Sequence, residues 1–187
     1  MRIVAGRHRG RALAPPGDLA LRPTADRVRE ALFNVLVHGL DVELDSATVL
    51  DIFAGTGALG LEALSRGAAQ ALFVEIAHPS LALIRDNVAT LGEESRAQIL
   101  RRDATRLGAP PAGITPARLA FLDPPYGENL APLALAAAAE RGWLAPGAVC
   151  VVETRRDEDF AAPEGFTMRD ERTYGGTRLY FLQWTHN

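Results

Sequence analysis

Apolar and polar positions alternate along this chain with two different periods, and the switches between them mark its elements. A β-branched, apolar run beginning near residue 48 ends at Asp51; a turn punctuated by Gly55, Gly57 and Gly60 follows. Leu59, Ala63 and Leu64 then recur at helical spacing, so the reading is strand, tight turn, helix. The same rhythm continues downstream, with strands near 48–52, 70–76, 97–102, 118–122 and 147–153 and helices near 58–67, 79–92 and 130–141. Strands that alternate with helices predict a parallel sheet with helices on both faces. A loop rich in Pro and Gly covers 108–116.

The two ends depart from that rhythm. Phe166–Arg169 and Leu179–Leu182 flank Tyr174-Gly175-Gly176-Thr177, which predicts a final antiparallel hairpin. At the start, Arg2–Gly6 and Arg11–Ala14 around the turn Arg7–Gly10 predict a small β-hairpin, broken off by Pro15-Pro16-Gly17. Thr24 is placed to cap a helix whose apolar positions Val28, Leu32, Phe33, Val35 and Leu36 run to Gly39. The division this predicts is a hairpin arm over 1–20 and one larger domain over 21–187.

Composition narrows the class. A chain of 187 residues with 48% hydrophobic and 23% charged positions is long enough to bury a core and ordinary for a globular protein. No apolar run has the length of a membrane span and no leader pattern opens the chain, so a cytoplasmic protein is expected. The single Cys150 cannot form an internal disulfide; set in Ala148–Val152, it reads as a small core residue. The histidines His8, His38, His78 and His186 are scattered, and no Cys/His cluster exists, so no metal is implied.

Charge is unevenly spread. Residues 1–30 carry seven arginines against Asp18, Asp26 and Glu30, a net +4, while the remainder carries 13 arginines against 20 acids, a net −7. All 20 basic residues are Arg, the side chain suited to forked phosphate contacts and base stacking. A basic arm on an acidic body suggests a polyanionic partner met by the arm, although a solvated hairpin would look the same on charge alone.

Chemistry concentrates at strand ends. In an open parallel sheet, ligands sit beyond the carboxyl ends of the strands where the strand order reverses, and Asp51, Glu75, Asp103 and Asp123 occupy four such ends. Gly55-x-Gly57-x-x-Gly60 fits a nucleotide-binding loop, with Glu75 at a distance that suits ribose hydroxyls. Asp51, just before the turn, suits the amino group of a methionine moiety better than a pyrophosphate. Asp103 can accept a hydrogen bond from an adenine amino group.

Asp123-Pro124-Pro125-Tyr126 is the sharpest signal. Consecutive prolines hold the backbone extended and leave its carbonyls with few local donors. The Asp123 carboxylate and the Pro124 carbonyl can then both accept hydrogens from a planar exocyclic amine. Those contacts free the nitrogen lone pair for attack on an electrophilic methyl group. Tyr126 offers a flat face on which a splayed-out base can stack.

Taken together, the glycine loop with Asp51, the acid Glu75 and the Asp123–Tyr126 box resemble an S-adenosylmethionine-dependent amino-methyltransferase of the Rossmann-like class. Arg22–Asn34, Asp51–Ala68 and the opening Arg2–Gly6 narrow the resemblance to RsmD, the bacterial 16S rRNA guanine-N2-methyltransferase family. It implies an α/β fold of class I methyltransferase type. The mostly parallel sheet would have seven strands, with a C-terminal antiparallel hairpin and the small N-terminal β-hairpin added. It implies that Thr24, Asp51, Phe53, Gly55, Gly57, Gly60, Glu75, Ile76, Asp103 and Ala104 hold S-adenosylmethionine and that Asp123, Pro124, Pro125 and Tyr126 hold the target base. Arg7, His8, Arg9, Arg11, Arg22 and Arg27 would meet RNA, and the Thr24–Glu30 segment would close over the site. The implied partner is 16S rRNA within the assembling small ribosomal subunit, met by a monomer with neither membrane nor metal. Departures are small: Thr56 stands for a more usual Ser, and Ile76-Ala77 follows Glu75 where an Asp or Asn is common, which puts one cofactor contact in doubt.

Three rivals stand against this reading. A DNA adenine-N6 or cytosine-N4 methyltransferase could use the same Asp-Pro-Pro-Tyr box, but the chain has no room for a separate target-recognition domain. An NAD-dependent oxidoreductase would have no use for Asp51 or the proline box. An idle RNA-binding assembly factor would not need an intact Asp123 box.

Overall fold

A computed structural model describes residues 1–15 and 23–185, with the backbone alone at 23–25. The expected domain boundary at 20–21 and the candidate Arg22 lie outside the described residues, as do Pro16, Gly17, His186 and the Thr24 side chain.

The sheet has seven strands: β1 Thr48–Ile52, β2 Gln70–Glu75, β3 Ala97–Arg101, β4 Ala117–Leu122, β5 Leu144–Arg155, β6 Phe166–Tyr174 and β7 Thr177–Trp184. Their spatial order is β3-β2-β1-β4-β5-β7-β6. The first five are parallel, and β7 enters antiparallel between β5 and β6. The expected terminal hairpin is thus present, closed at Tyr174↔Thr177 over Gly175-Gly176. The order reverses between β1 and β4, which opens a crevice at their carboxyl ends.

Helices α1 Pro23–Asn34, α2 Ala58–Ser65, α3 His78–Leu91 and α4 Leu130–Glu140 fill the connections. α1 starts at Pro23, one residue before the expected cap Thr24, since proline's fixed φ and missing N–H suit a first helical position. It runs on into a π-helical turn, Val35–Gly39. The alternation of β1 sends Val49 into one core with Phe33, Leu61, Phe73 and Ile84, and Leu50 and Ile52 into a second with Leu135, Trp143 and Cys150. So α1, α2 and α3 cover one face and α4 the other, as the strand periodicity of two requires.

The N-terminal segment departs from expectation. It doubles back, with Ile3 N–H donating to the Arg11 carbonyl and Gly10 N–H to the Ile3 carbonyl, yet makes only one isolated bridge, Arg2↔Ala12, and no paired strands. The donors that would continue a ladder are taken elsewhere: Val4 and Ala5 N–H both donate to the Glu62 carboxylate, at 2.8 and 2.9 Å. Arg7 N–H reaches the Ser65 carbonyl and His8 N–H the Ser65 hydroxyl. Ile3 and Leu13 are buried in the same core as α1 and α2. The segment is a strap clamped to the end of α2.

Candidate active site

The site begins at the turn after β1. Asp51 is 2% exposed, and its Oδ2 accepts the Gly60 N–H at 2.8 Å, one of the donors a helix start leaves unpaired. Gly60 is where it is because of packing: a Cβ there would sit 2.4 Å from Phe73 Cε1 on β2. Gly57 caps α2 with φ +75°, a left-handed conformation that favours glycine. Phe53 takes the same region, φ +60°, without being glycine. Such strain in a non-glycine residue gathers at functional turns, and here it sets the Phe53 ring on a cleft wall.

Glu75, at the end of β2, ties the loop to the sheet. Its Oε2 accepts Gly55 N–H at 3.0 Å, and its Oε1 accepts the N–H groups of Ile76 and Ala77 at 2.8 and 2.9 Å. A carboxylate has about four acceptor positions, so a further hydroxyl donor can still be received. Ile76 beside it is 57% exposed, an apolar surface at the sheet end. The buried amide of Asn87, which sequence reasoning passed over, donates to the Thr56 carbonyl at 2.9 Å and fixes the loop against α3. Asp103 accepts from Thr105 N–H and hydroxyl, which hold its pKa below the usual carboxylate range. It and the buried Ala104 begin a 3-10 turn beyond β3, outside the lining of the cleft.

The opposite wall comes from β4, β5 and β7. Asp123 follows β4, with Pro124 buried and Pro125 and Tyr126 exposed. Together with Asp51, Phe53 and Gly55, Asp123 and Tyr126 border a cleft of about 430 Å³, which Glu153 of β5 and Thr177 of β7 complete. The Tyr126 hydroxyl donates to Glu153 Oε1 at 3.4 Å. Glu153 went unnoticed in the sequence, although it carries the same signature as the other acids: an apolar run, Val149–Val152, ending in a carboxylate at the carboxyl end of a parallel strand.

Three carboxyl groups therefore face one cleft. Burial, with Asp123 and Glu75 adding repulsion, raises Asp51 to about 8, against the bond from Gly60. Burial and the neighbouring Asp123 raise Glu153 well above the carboxylate range. Asp123 is pushed upward by the walls around its carboxyl, although the residue meets solvent at the cleft mouth. Burial and the Glu153 charge raise the Tyr126 hydroxyl to about 12, so it stays a donor. Among the described residues none of the three acids has an ion-pair partner. The one arginine on the cleft wall among the described residues, Arg29, is committed to Asp26 at 2.8 Å, to the Arg2 carbonyl and to Glu62 at 3.5 Å. A site so acidic is suited to cationic or hydrogen-donating ligands. Among the described residues no three His, Cys, Asp or Glu side chains gather as a metal site, and no helix is long and apolar enough to cross a membrane.

The expected RNA contacts divide into two sets. Arg7 and His8 both reach Glu93, at 3.1 and 2.5 Å, and Arg11 donates to the Thr90 carbonyl at 2.5 Å. Arg9 and Arg27 are exposed and, with Arg2, border a second groove of about 670 Å³ between the strap and α1. Met1 borders both this groove and the cleft.

A family described as Conserved hypothetical protein 95 matches residues 1–183. The Ribosomal RNA small subunit methyltransferase D of Haemophilus influenzae is 38% identical over 96% of this chain and 93% of its own length, and that of Escherichia coli K12 is 38% identical over 96% and 89%. The solved structure of yhhF from Escherichia coli, 35% identical, covers 100% of this chain and 99% of its own with a TM-score of 0.81. With a family match over nearly the whole chain and relatives matched over about nine-tenths of their own length, the chain belongs to the ribosomal RNA small subunit methyltransferase D family.

Proposed function

We propose that this protein transfers a methyl group from S-adenosylmethionine to the exocyclic N2 of one guanine in 16S rRNA, on the assembling small ribosomal subunit in the cytoplasm, acting as a monomer. One observation carries the reading: Asp51 with its glycine loop and the Asp123–Tyr126 box, far apart in sequence, face each other across a single acidic cleft. The names of the relatives supply the rRNA small subunit as the substrate class.

The residues present fit the cofactor. The buried carboxyl of Asp51 suits its ammonium group, Glu75 has acceptor capacity left for ribose hydroxyls, and Ile76 offers an apolar face for adenine, with Asp103 and Ala104 beyond. Phe53, Gly55 and Gly57 form the turn around it, and Gly60 lets α2 close on β2. Thr24, at the head of α1, belongs to the segment that covers the site. When bound, the cofactor supplies an electrophilic methyl group on a sulfonium.

The chain's own part is to present the amine. Asp123 and the Pro124 carbonyl accept the two N2 hydrogens, Pro125 keeps that backbone extended, and the base stacks on the exposed Tyr126 ring. The lone pair is thereby aimed across the cleft, so most of the rate comes from positioning and exclusion of water. After attack the nitrogen sheds one proton, with Asp123 in contact to accept it. Arg9 and Arg27 in the second groove hold the RNA backbone. Arg7, His8 and Arg11 shape the strap behind them, and Arg22 lies outside the described residues. The shared border at Met1 runs that groove toward the cleft.

The test is transfer of labelled methyl groups to unmodified small subunits, naked 16S rRNA and duplex DNA, with Asp123→Ala as control. Label recovered as N2-methylguanosine from the particle, and lost in the variant, is expected. Label on DNA alone would overturn the substrate, and label unaffected by Asp123→Ala would overturn the role of the box.

A further inference from the structure

Glu153 is the group in the cleft that the transfer reaction leaves without a task. Its carboxyl lines the same wall as Asp123 and Tyr126, and its one hydrogen-bond partner among the described residues is the Tyr126 hydroxyl, at 3.4 Å. No arginine among the described residues neutralises it, and it stands near enough to Asp123 for the two charges to repel. Burying an acid with so weak a partner costs stability, and such groups gather where a ligand will satisfy them.

Tyr126 defines where a stacked base would lie, and Glu153 sits at the hydroxyl edge of that ring. Among bases with an exocyclic amine, guanine alone presents two adjacent donors, N1–H and N2–H, on its Watson–Crick edge; adenine and cytosine place an acceptor nitrogen beside the amine. Burial and the Asp123 charge favour the protonated carboxyl in the free protein; an N–H donor placed against it favours the ionised form, and that carboxylate only accepts. It therefore pairs with N1–H of guanine and opposes the ring nitrogen of the other two bases.

We propose that Glu153 is the specificity-determining residue of this site, its carboxylate accepting guanine N1–H while Asp123 and the Pro124 carbonyl hold the N2 amine. This rests on the guanine-N2 reading above. A site built to hydrogen-bond an N–H group discriminates strongly against an analogue that lacks it, because its own buried group is then left unpaired.

The experiment replaces the target guanine of the small-subunit rRNA with 2-aminopurine, which keeps the amine but has an acceptor at N1. Initial rates and particle binding are compared for wild type, Glu153→Ala and Glu153→Gln. Wild type is expected to favour guanine by roughly 100-fold or more in kcat/KM. In Glu153→Ala the preference should fall to within about 10-fold. In Glu153→Gln it should shift further toward 2-aminopurine, because the carboxamide can donate to N1. Binding of the two particles should move in the same order. Any difference in intrinsic reactivity of the two amines cancels when the preferences are compared between variants. An unchanged guanine preference in both variants overturns the role of Glu153 while leaving guanine methylation intact. A wild type that labels no guanine overturns the underlying reading, and with it this one.

Discussion

At the scale of the residue, Asp51 shows how a site can be built against stability. Its folded pKa, about 8, lies above the roughly 3.9 of an unfolded aspartate. Between those values the native state holds a proton that the unfolded chain has released. Its contribution is therefore complete below about pH 4 and is lost as pH rises through about 8. Glu153, raised by burial, acts in the same direction. Asp51→Asn keeps an oxygen for the Gly60 N–H but cannot titrate. The variant should lose less stability between pH 5 and pH 8 than wild type, read as the shift in urea midpoint. Its affinity for S-adenosylmethionine should fall at least about tenfold by calorimetry. An unchanged pH dependence would mean that Asp51 is ionised in the free protein.

At the scale of the element, the N-terminal strap depends on one buried carboxylate. Glu62 is 0% exposed and binds Val4 N–H at 2.8 Å, Ala5 N–H at 2.9 Å and the Arg66 guanidinium at 2.8 Å, with Arg29 Nε at 3.5 Å. Nothing in the local pattern of α2 foretells this, since Glu62 reads as one more helical surface residue. Only the return of the strap over the end of α2 buries it. Glu62→Ala should cost about 3–5 kcal/mol by chemical denaturation, because two guanidinium groups and two backbone donors lose their acceptor together. Protease cleavage near Gly6 should speed up in the same variant. A loss below about 1 kcal/mol would mean that the strap is held by Ile3 and Leu13 alone.

At the scale of the whole molecule, a net charge of −3 must still approach a polyanion. The arginines that can do so are the ones that the fold leaves uncommitted. Replacing Arg9 and Arg27 with Ala should weaken RNA binding and flatten its dependence on salt, by about 0.7–0.9 in log–log slope for each phosphate no longer neutralised. Arg7→Ala should instead act mainly on stability, through Glu93, and leave the slope near that of wild type. A slope that responds to Arg7 and not to Arg9 or Arg27 would place the RNA on the other side of the strap.

What this sequence determined by itself was local in origin. Alternating periods of two and 3.6 residues marked the five parallel strands and their helices, because side-chain burial repeats with the backbone geometry of each element. Asp51, Glu75, Asp103 and Asp123 were legible as strand-end acids, and Asp123–Tyr126 as a distinctive turn after β4, because each signal lies within a few consecutive residues. Tertiary structure alone decided the rest. It inserted β7 between β5 and β6 and turned an expected hairpin into a strap by drawing its N–H groups to Glu62. It also separated paired arginines from free ones and brought Glu153 beside Tyr126. Each of those outcomes depends on distances between residues remote in sequence, and on charges that acquire their energies only when the fold removes water from around them.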